Sequence, residues 1–256
     1  AYRSSLTELT GTAWDESDGG GDAGKLDEVA VHIRRISPSP IRSWDGDSWE
    51  PDGGEVLWST TTLHNGQVTV SSWSYTSLPV GNEWDSGGEY IIRSRGKDQA
   101  KPGGNTQESF TVSESSITIT WDDEPPVCVI TSPEHEAELK PSGSFLIEGT
   151  ADDVTAGIDS FTQIKLEMNY LEGSTTYYWT GSDWTDTVSE FSAQSYNGTS
   201  WDYSFPDMDL LYSDKEYRLK VRALDDAEPA NPGEYPGSAA EDSAFIEVII
   251  DTTPPL

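Results

Sequence analysis

The chain has 256 residues, 46 of them acidic and 15 basic, for a formal net charge of −31. A surface this negative repels phosphate backbones and anionic headgroups, which excludes nucleic acid and membrane surfaces as partners and suits calcium, cationic partners or a salty exterior. The single cysteine, Cys128, excludes an intrachain disulfide, and ten tryptophans argue for packed cores rather than disorder.

In chain order, Leu9-Thr10-Gly11-Thr12-Ala13-Trp14-Asp15 reads as a strand running into an acidic loop over residues 15–22. That loop has the look of a calcium loop but lacks the spacing, flanking helices and closing Glu of an EF-hand. Val29, Val31 and Ile33 alternate with polar or small residues, the signature of a strand with one buried face. Trp44-Asp45-Gly46-Asp47-Ser48-Trp49 predicts a hairpin with Asp45-Gly46 as a two-residue turn. That register sets Trp44 opposite Asp47, with Trp49 one step diagonally away. Trp73-Ser74-Tyr75 and residues 89–98 are further strands. Between 110 and 121 two candidates for the last strand stay open, residues 110–112 and residues 117–121.

Trp121-Asp122-Asp123-Glu124-Pro125-Pro126 then interrupts the pattern. Proline lacks an amide hydrogen and holds the preceding residue extended, so Pro-Pro ends one ladder and stiffens the crossing to the next unit. Ile250-Asp251-Thr252-Thr253-Pro254-Pro255 repeats this joint, and the blocks between the two joints repeat those before the first. Ile147-Glu148-Gly149-Thr150-Ala151-Asp152-Asp153 matches residues 9–15. Trp179-Thr180-Gly181-Ser182-Asp183-Trp184 matches residues 44–49, with Tyr177 expected opposite Trp184. Trp201-Asp202-Tyr203 matches residues 73–75, and residues 216–225 match residues 89–98. Ile164, Leu166, Met168 and Tyr170 alternate, as do Tyr217, Leu219, Val221 and Ala223. No segment carries a sustained helical period with caps.

These elements predict an all-β chain of two tandem immunoglobulin-like β-sandwiches, residues 1–124 and 125–256, joined by a short Pro-Pro linker. The second unit opens with a strand at residues 127–130 that has no counterpart ahead of residue 9. Unit one is therefore expected to lack its first strand, and Pro254-Pro255-Leu256 to open a further unit. The absent strand is expected upstream in the same chain or donated by a neighbouring copy into unit one. No apolar run approaches the ~20 residues of a membrane span. If the protein is exported, its signal and anchor are expected outside this stretch.

Ile130-Thr131-Ser132-Pro133, residues 149–153, the Trp179–Trp184 block, residues 217–225 and residues 251–255 follow one another here. In this order they resemble the immunoglobulin-like repeats of large bacterial and archaeal cell-surface proteins. The resemblance covers the second unit almost entirely and the first more loosely, with Ile92-Arg93-Ser94-Arg95 replacing the apolar alternation before Asp98. It implies a non-catalytic structural or adhesive role outside the cell, in an S-layer, adhesin or filament, with neighbouring repeats, glycans or a host surface as partners. A carbohydrate-binding accessory module of a secreted enzyme is the alternative. It requires three or more of the rings of Trp44, Trp49, Trp179, Trp184 and Trp201 to line an open groove rather than to pack.

His32, His64 and His135 stand without partner motifs, and no nucleophile elbow, zinc-binding His pair or phosphate loop occurs, so no catalytic residues are assigned. Asn197-Gly198-Thr199 is a glycosylation sequon on an expected loop. A calcium site is predicted at the joint. Asp152 and Asp153 follow the second strand of the sandwich, Asp225 and Asp226 follow the penultimate strand, and those two loops share one end of such a sandwich. The linker delivers Asp122, Asp123 and Glu124 to that end. So many carboxylates repel unless a cation gathers them, and calcium accepts six to eight oxygens from separate loops. Asp15 and Asp98 hold the equivalent positions in unit one.

Overall fold

The computed structural model describes residues 1–15, 25–52, 56–65, 69–100, 102–140, 145–206, 208–233 and 245–251. The chain divides into two compact units, Ala1–Asp123 and Glu124–Leu256.

Unit 1 contains β1 (Tyr2–Arg3), β2 (Leu9–Trp14), β3 (Leu26–Ser37), β4 (Arg42–Trp44), β5 (Trp49–Pro51), β6 (Ser59–Thr60), β7 (Thr62–Leu63), β8 (Val70–Tyr75), β9 (Glu89–Asp98) and β10 (Ser116–Trp121). One sheet runs β1-β10-β9-β3-β4-β5 with β6 on β3, and the other runs β2-β8-β7. The last strand is residues 116–121. The rival segment 110–112 forms no strand, and Phe110 instead stacks on Trp58 with ring centroids 5.7 Å apart.

Unit 2 contains β11 (Val127–Ser132), β12 (Ala137–Leu139), β13 (Leu146–Asp152), β14 (Ile164–Glu172), β15 (Thr175–Trp179), β16 (Trp184–Thr185), β17 (Phe191–Ser192), β18 (Ser195–Tyr196), β19 (Ser200–Ser204), β20 (Lys215–Ala223) and β21 (Ile246–Ile250). Its sheets run β12-β21-β20-β14-β15-β16, with β17 on β14, and β11-β13-β19-β18. The chain crosses between the two sheets at each step from β11 to β14, then after β17 and after β19, as in an immunoglobulin-like sandwich. The only helical turns among the described residues are three-residue 3₁₀ turns.

Period-two alternation builds both cores. On β20, Tyr217, Leu219, Val221 and Ala223 point inward between half-buried or exposed neighbours, and they face Ile164, Leu166, Met168 and Tyr170 of β14. In unit 1, Val29, Val31 and Ile33 of β3 meet Tyr90 and Ile92 of β9 and Ile119 of β10. Each fully buried aliphatic side chain contributes about 1.5–3 kcal/mol through removal from water.

Three devices recur in both units. The first is a tryptophan pair on a hairpin. Trp44 pairs directly with Trp49, and Trp179 with Trp184, at ring-centroid distances of 5.4 Å in each case. This corrects the predicted register, in which Trp44 faced Asp47 and Tyr177 faced Trp184. The turn spans four residues, not two. Asp45 Oδ1 accepts the N–H groups of Asp47 and Ser48, both at 2.8 Å, and Asp45 N–H donates to Ser48 O. Thr180 Oγ1 does the same for Ser182 and Asp183. Gly46 and Gly181 take φ of +106° and +100°, a left-handed conformation in which a side chain is strained.

The second device is a tyrosine corner. Tyr90 Oη accepts the N–H of Asp85, and Tyr217 Oη that of Tyr212, both at 2.7 Å. The third is a glycine beneath a tryptophan. Gly11 pairs with Trp73 across β2 and β8, and Gly149 with Trp201 across β13 and β19. A Cβ on Gly11 would lie 2.6 Å from the Trp73 ring, and one on Gly149 would lie 2.3 Å from the Trp201 ring.

Candidate metal centre

In unit 2, β13 ends at Asp152. Strand parity turns Ala151 into the core and leaves Asp152 exposed, while the next residue, Asp153, is half-buried at the start of the following loop. Asp153 Oδ1 accepts the N–H groups of Thr155 at 3.0 Å and Gly157 at 2.8 Å, which folds the loop around its carboxylate. β20 ends at Ala223, and Asp225 follows, only 2% exposed. Asp225 Oδ1 accepts N–H groups from Ala227 at 3.1 Å and Asn231 at 2.7 Å, and Oδ2 accepts the Asn231 side-chain amide at 2.7 Å. The two loops lie at one end of the sandwich, as the topology predicts, and bring a carboxylate oxygen of Asp153 within 4.8 Å of one from Asp225. Neither forms an ion pair with lysine or arginine among the described residues.

The other predicted ligands of this unit are exposed. Asp152 is on the outward side of its strand. Asp226 is exposed and accepts Gln163 Nε2 at 2.6 Å, while its N–H donates to Gly157 O at 3.1 Å. Partial desolvation, then a hydrogen bond with the neighbouring Asp159 carboxyl, raises the Asp226 pKa from its ordinary value. Glu124 is exposed. In unit 1, Asp122 follows β10 directly and is buried. Its N–H donates to Arg3 O at 2.8 Å, and Oδ1 accepts the Ser86 hydroxyl at 3.4 Å. Asp123, beside it, is exposed.

Unit 1 carries the same pair of loop acids. Asp98 occupies the place of Asp225 and uses the same construction. It accepts N–H groups from Ala100 at 2.9 Å and Asn105 at 2.6 Å, and the Asn105 side-chain amide at 2.7 Å. These donors hold its carboxyl below the ordinary range, the Asn105 backbone N–H foremost. Asp15 occupies the place of Asp153 and is held through its own N–H to Thr69 O at 2.9 Å. The remainder of the acidic loop, residues 16–22, lies outside the described residues. Asp15 and Asp98 line one cleft of about 550 Å³. The asparagines that organise each penultimate loop, Asn105 and Asn231, were not singled out in the sequence; an Asp followed six or seven residues later by Asn is the signal that carries them.

The tryptophan platform that the carbohydrate-binding alternative requires does not form among the described residues. Trp44, Trp179 and Trp201 are buried, and Trp49 and Trp184 are half-buried with their indole N–H groups committed to Glu83 O at 2.6 Å and Leu210 O at 2.8 Å. Each ring packs within a core because its hairpin register faces it inward. Asn197 is exposed in the turn between β18 and β19, where its side-chain oxygen accepts the N–H groups of Thr199 and Ser200. The histidines sit on separate elements. His32 Nε2 lies 3.1 Å from Ser43 Oγ, His64 follows β7, and His135 Nδ1 accepts the N–H of Glu247 at 3.1 Å. No helix among the described residues is long and apolar enough to cross a membrane.

No family model and no curated protein matches the chain. Among solved structures, the crystal structure of the chicken CNTN1 FN1–FN3 domains is similar, at 14% sequence identity and a TM-score of 0.37. The similarity covers 98% of this chain and 64% of that one, so the chain spans less than two thirds of its length.

Proposed function

We propose that the chain is a pair of non-catalytic structural or adhesive modules from a tandem array at a cell surface or in an extracellular assembly, such as an S-layer, adhesin or filament. One observation carries this reading: the tryptophan hairpin, tyrosine corner, glycine–tryptophan crossing and Asp–Asn loop occur in both units. Each unit is also followed in the sequence by an Asp-x-x-Pro-Pro joint. Duplicating a whole framework together with its joint is the logic of arrays, where each module contributes length and surface. Electron microscopy of the native material, with its subunit mass measured, tests this. Lattices, fibres or long multidomain chains are expected, and isolated two-module monomers would contradict the array.

Within that reading, calcium stiffens the joint. Asp153 and Asp225 supply hard oxygen donors, whose chemistry fits calcium better than softer metals. Asp122 is proposed as the third ligand. It precedes Val127 by five residues, and Val127 pairs with Asp152. An extended chain spans at most about 3.6 Å per residue, which keeps Asp122 within about 18 Å of that pairing. Bound calcium would neutralise the convergent carboxylates and restrain the linker. Asp15 and Asp98 would serve unit 1 in the same way. Titration of calcium into chelator-treated protein should give a saturable heat that Asp153→Asn abolishes. Heat no greater than dilution would remove calcium from the proposal without touching the array reading.

A further inference from the structure

The outward side of the larger sheet can be matched between the units residue by residue. Tyr90 and Tyr217 are the corner tyrosines, so Arg93 of β9 stands where Lys220 stands in β20, and Arg95 where Arg222 stands. Across the ladder, Arg93 pairs with His32 and Lys220 with Glu167. Val31 pairs with Ser59 as Leu166 pairs with Phe191, which puts Trp58, just ahead of β6, in the place of Glu190, just ahead of β17. In unit 2 both cations meet a carboxylate. Lys220 Nζ lies 3.4 Å from Glu167, and the Arg222 guanidinium grips both oxygens of Glu190, each at 2.8 Å. In unit 1 both acids are replaced. His32 is buried and neutral, its pKa lowered to about 4 by burial first and then by Arg93. Trp58 offers a ring instead: Arg95 lies over it at 4.1 Å, Phe110 stacks on it at 5.7 Å, and Arg93 lies over Phe110 at 5.4 Å. The rings hold the guanidinium groups in place but cancel no charge. Neither guanidinium has a carboxylate or hydrogen-bond partner among the described residues, and the buried Arg93 Nε and His32 Nδ1 are both unsatisfied. Arg34, next on this face, is already paired with Asp52 at 2.8 Å.

We propose that this arginine–aromatic face of unit 1 is a docking surface for an acidic segment of a second copy of this chain. Charge complementarity selects that occupant. Side chains two residues apart on one strand face are about 7 Å apart, which is also the spacing of alternate residues in an extended acidic segment. A guanidinium fork takes a carboxylate bidentately. Copies of the chain supply such segments, with 46 acids against 15 bases and with Glu134, Glu136 and Glu138 exposed at alternate positions. Net repulsion between copies is screened beyond about 10 Å at 0.1 M salt, so pairing at the contact decides. The matched face of unit 2 carries its own acids, so the contact is heterologous: unit 1 of one copy receives a different surface of the next, and such contacts propagate into rings or filaments. The inference depends neither on calcium nor on the array reading.

Sedimentation velocity of the full chain should show concentration-dependent association that fades as the Debye length shrinks from about 30 Å in 0.01 M salt to about 8 Å in 0.15 M salt. Arg93→Gln and Arg95→Gln should each weaken it at least about tenfold. His32→Glu leaves both arginines and both rings in place and restores the acid that unit 2 carries, so it should weaken association as much. Lys220→Gln, at the matched position of unit 2, should leave it unchanged. Near-UV circular dichroism checks that each variant is folded. Arginine-dependent association alongside native particles of only two modules would keep this inference while removing the array. A chain that stays monomeric at every concentration and salt, or association unaltered in Arg93→Gln and Arg95→Gln, would overturn it. So would saturable binding of a polygalacturonate fragment by a chain that stays monomeric, because the face would then serve an acidic glycan.

Discussion

Gly149 and Gly11 fill one sequence position in two different surroundings. A methyl group on Gly149 meets the Trp201 ring on one side and the Val129 carbonyl on the other, and neither a packed indole nor a paired backbone can retreat cheaply. On Gly11 the three atoms nearest such a methyl all belong to the Trp73 ring. Gly149→Ala should therefore destabilise unit 2 by about 3–5 kcal/mol, and Gly11→Ala should destabilise unit 1 by about 1–2 kcal/mol. Urea melts followed by near-UV circular dichroism resolve the two, and equal costs would show that β11 does not close the site. His32 gives a residue-scale pH dependence. Burial first, then the charges of Arg93, Arg34 and Arg95, lower its pKa to about 4, against a partial opposing effect of Asp52. The native imidazole thus stays neutral where the unfolded one, near 6.5, takes a proton. Its contribution to stability is full above about pH 6.5 and is lost as pH falls towards 4, at no more than about 1.4 kcal/mol per pH unit. A His32→Gln variant should show a flatter decline of unit 1 stability across that window, measured by denaturant titration at successive pH values.

At the scale of elements, the tyrosine corners anchor the start of each penultimate strand to the turn before it. Tyr217→Phe removes the acceptor of the Tyr212 N–H and should cost about 1–3 kcal/mol, with Tyr90→Phe costing a similar amount in unit 1. A loss below 0.5 kcal/mol in both, by the same melts, would assign the corner no mechanical role. The strands themselves were legible in the sequence because a sheet with one buried face imposes period two, and Val29, Val31, Ile33 and Tyr217 through Ala223 obey it. The hairpin register was not legible. A Gly at the second turn position suits a two-residue turn equally well, and only the capping of later N–H groups by Asp45 and Thr180 closes a four-residue loop. The candidate metal site was half legible for the same reason. The topology brought the right two loops to one end, but side-chain parity at a strand end separates Asp153 from Asp152. Asp226 is likewise exposed, and its carboxylate is held by Gln163 of a 3₁₀ turn 63 positions earlier.

On the scale of the whole molecule, a charge of −31 means that any cation stabilises the folded chain by relieving self-repulsion, so a rise in melting temperature with calcium is weak evidence for a site. Screening and binding differ in three measurable ways. Screening depends on ionic strength, with a Debye length near 10 Å at 0.1 M salt, and is nearly indifferent to which divalent cation supplies it. A site saturates, and its stabilisation grows as the logarithm of free calcium above Kd, about 2.7 kcal/mol at a hundredfold excess. Magnesium, which demands tighter octahedral geometry and keeps its waters, should not replace calcium on loops as separate as these. Melting in 0.15 M salt with 1 mM calcium, 1 mM magnesium or chelator should therefore show a calcium-specific rise. Asp153→Asn and Asp225→Asn should each abolish that rise, and Asp152→Asn should leave it intact. Asp225→Asn also disturbs the loop held by Asn231, so its absolute stability falls with or without metal. The decisive quantity is the difference between calcium and chelator within each variant. If calcium and magnesium raise the melting temperature equally, and the increment survives in Asp153→Asn, then the acids are a solvated surface and calcium is not bound by these loops.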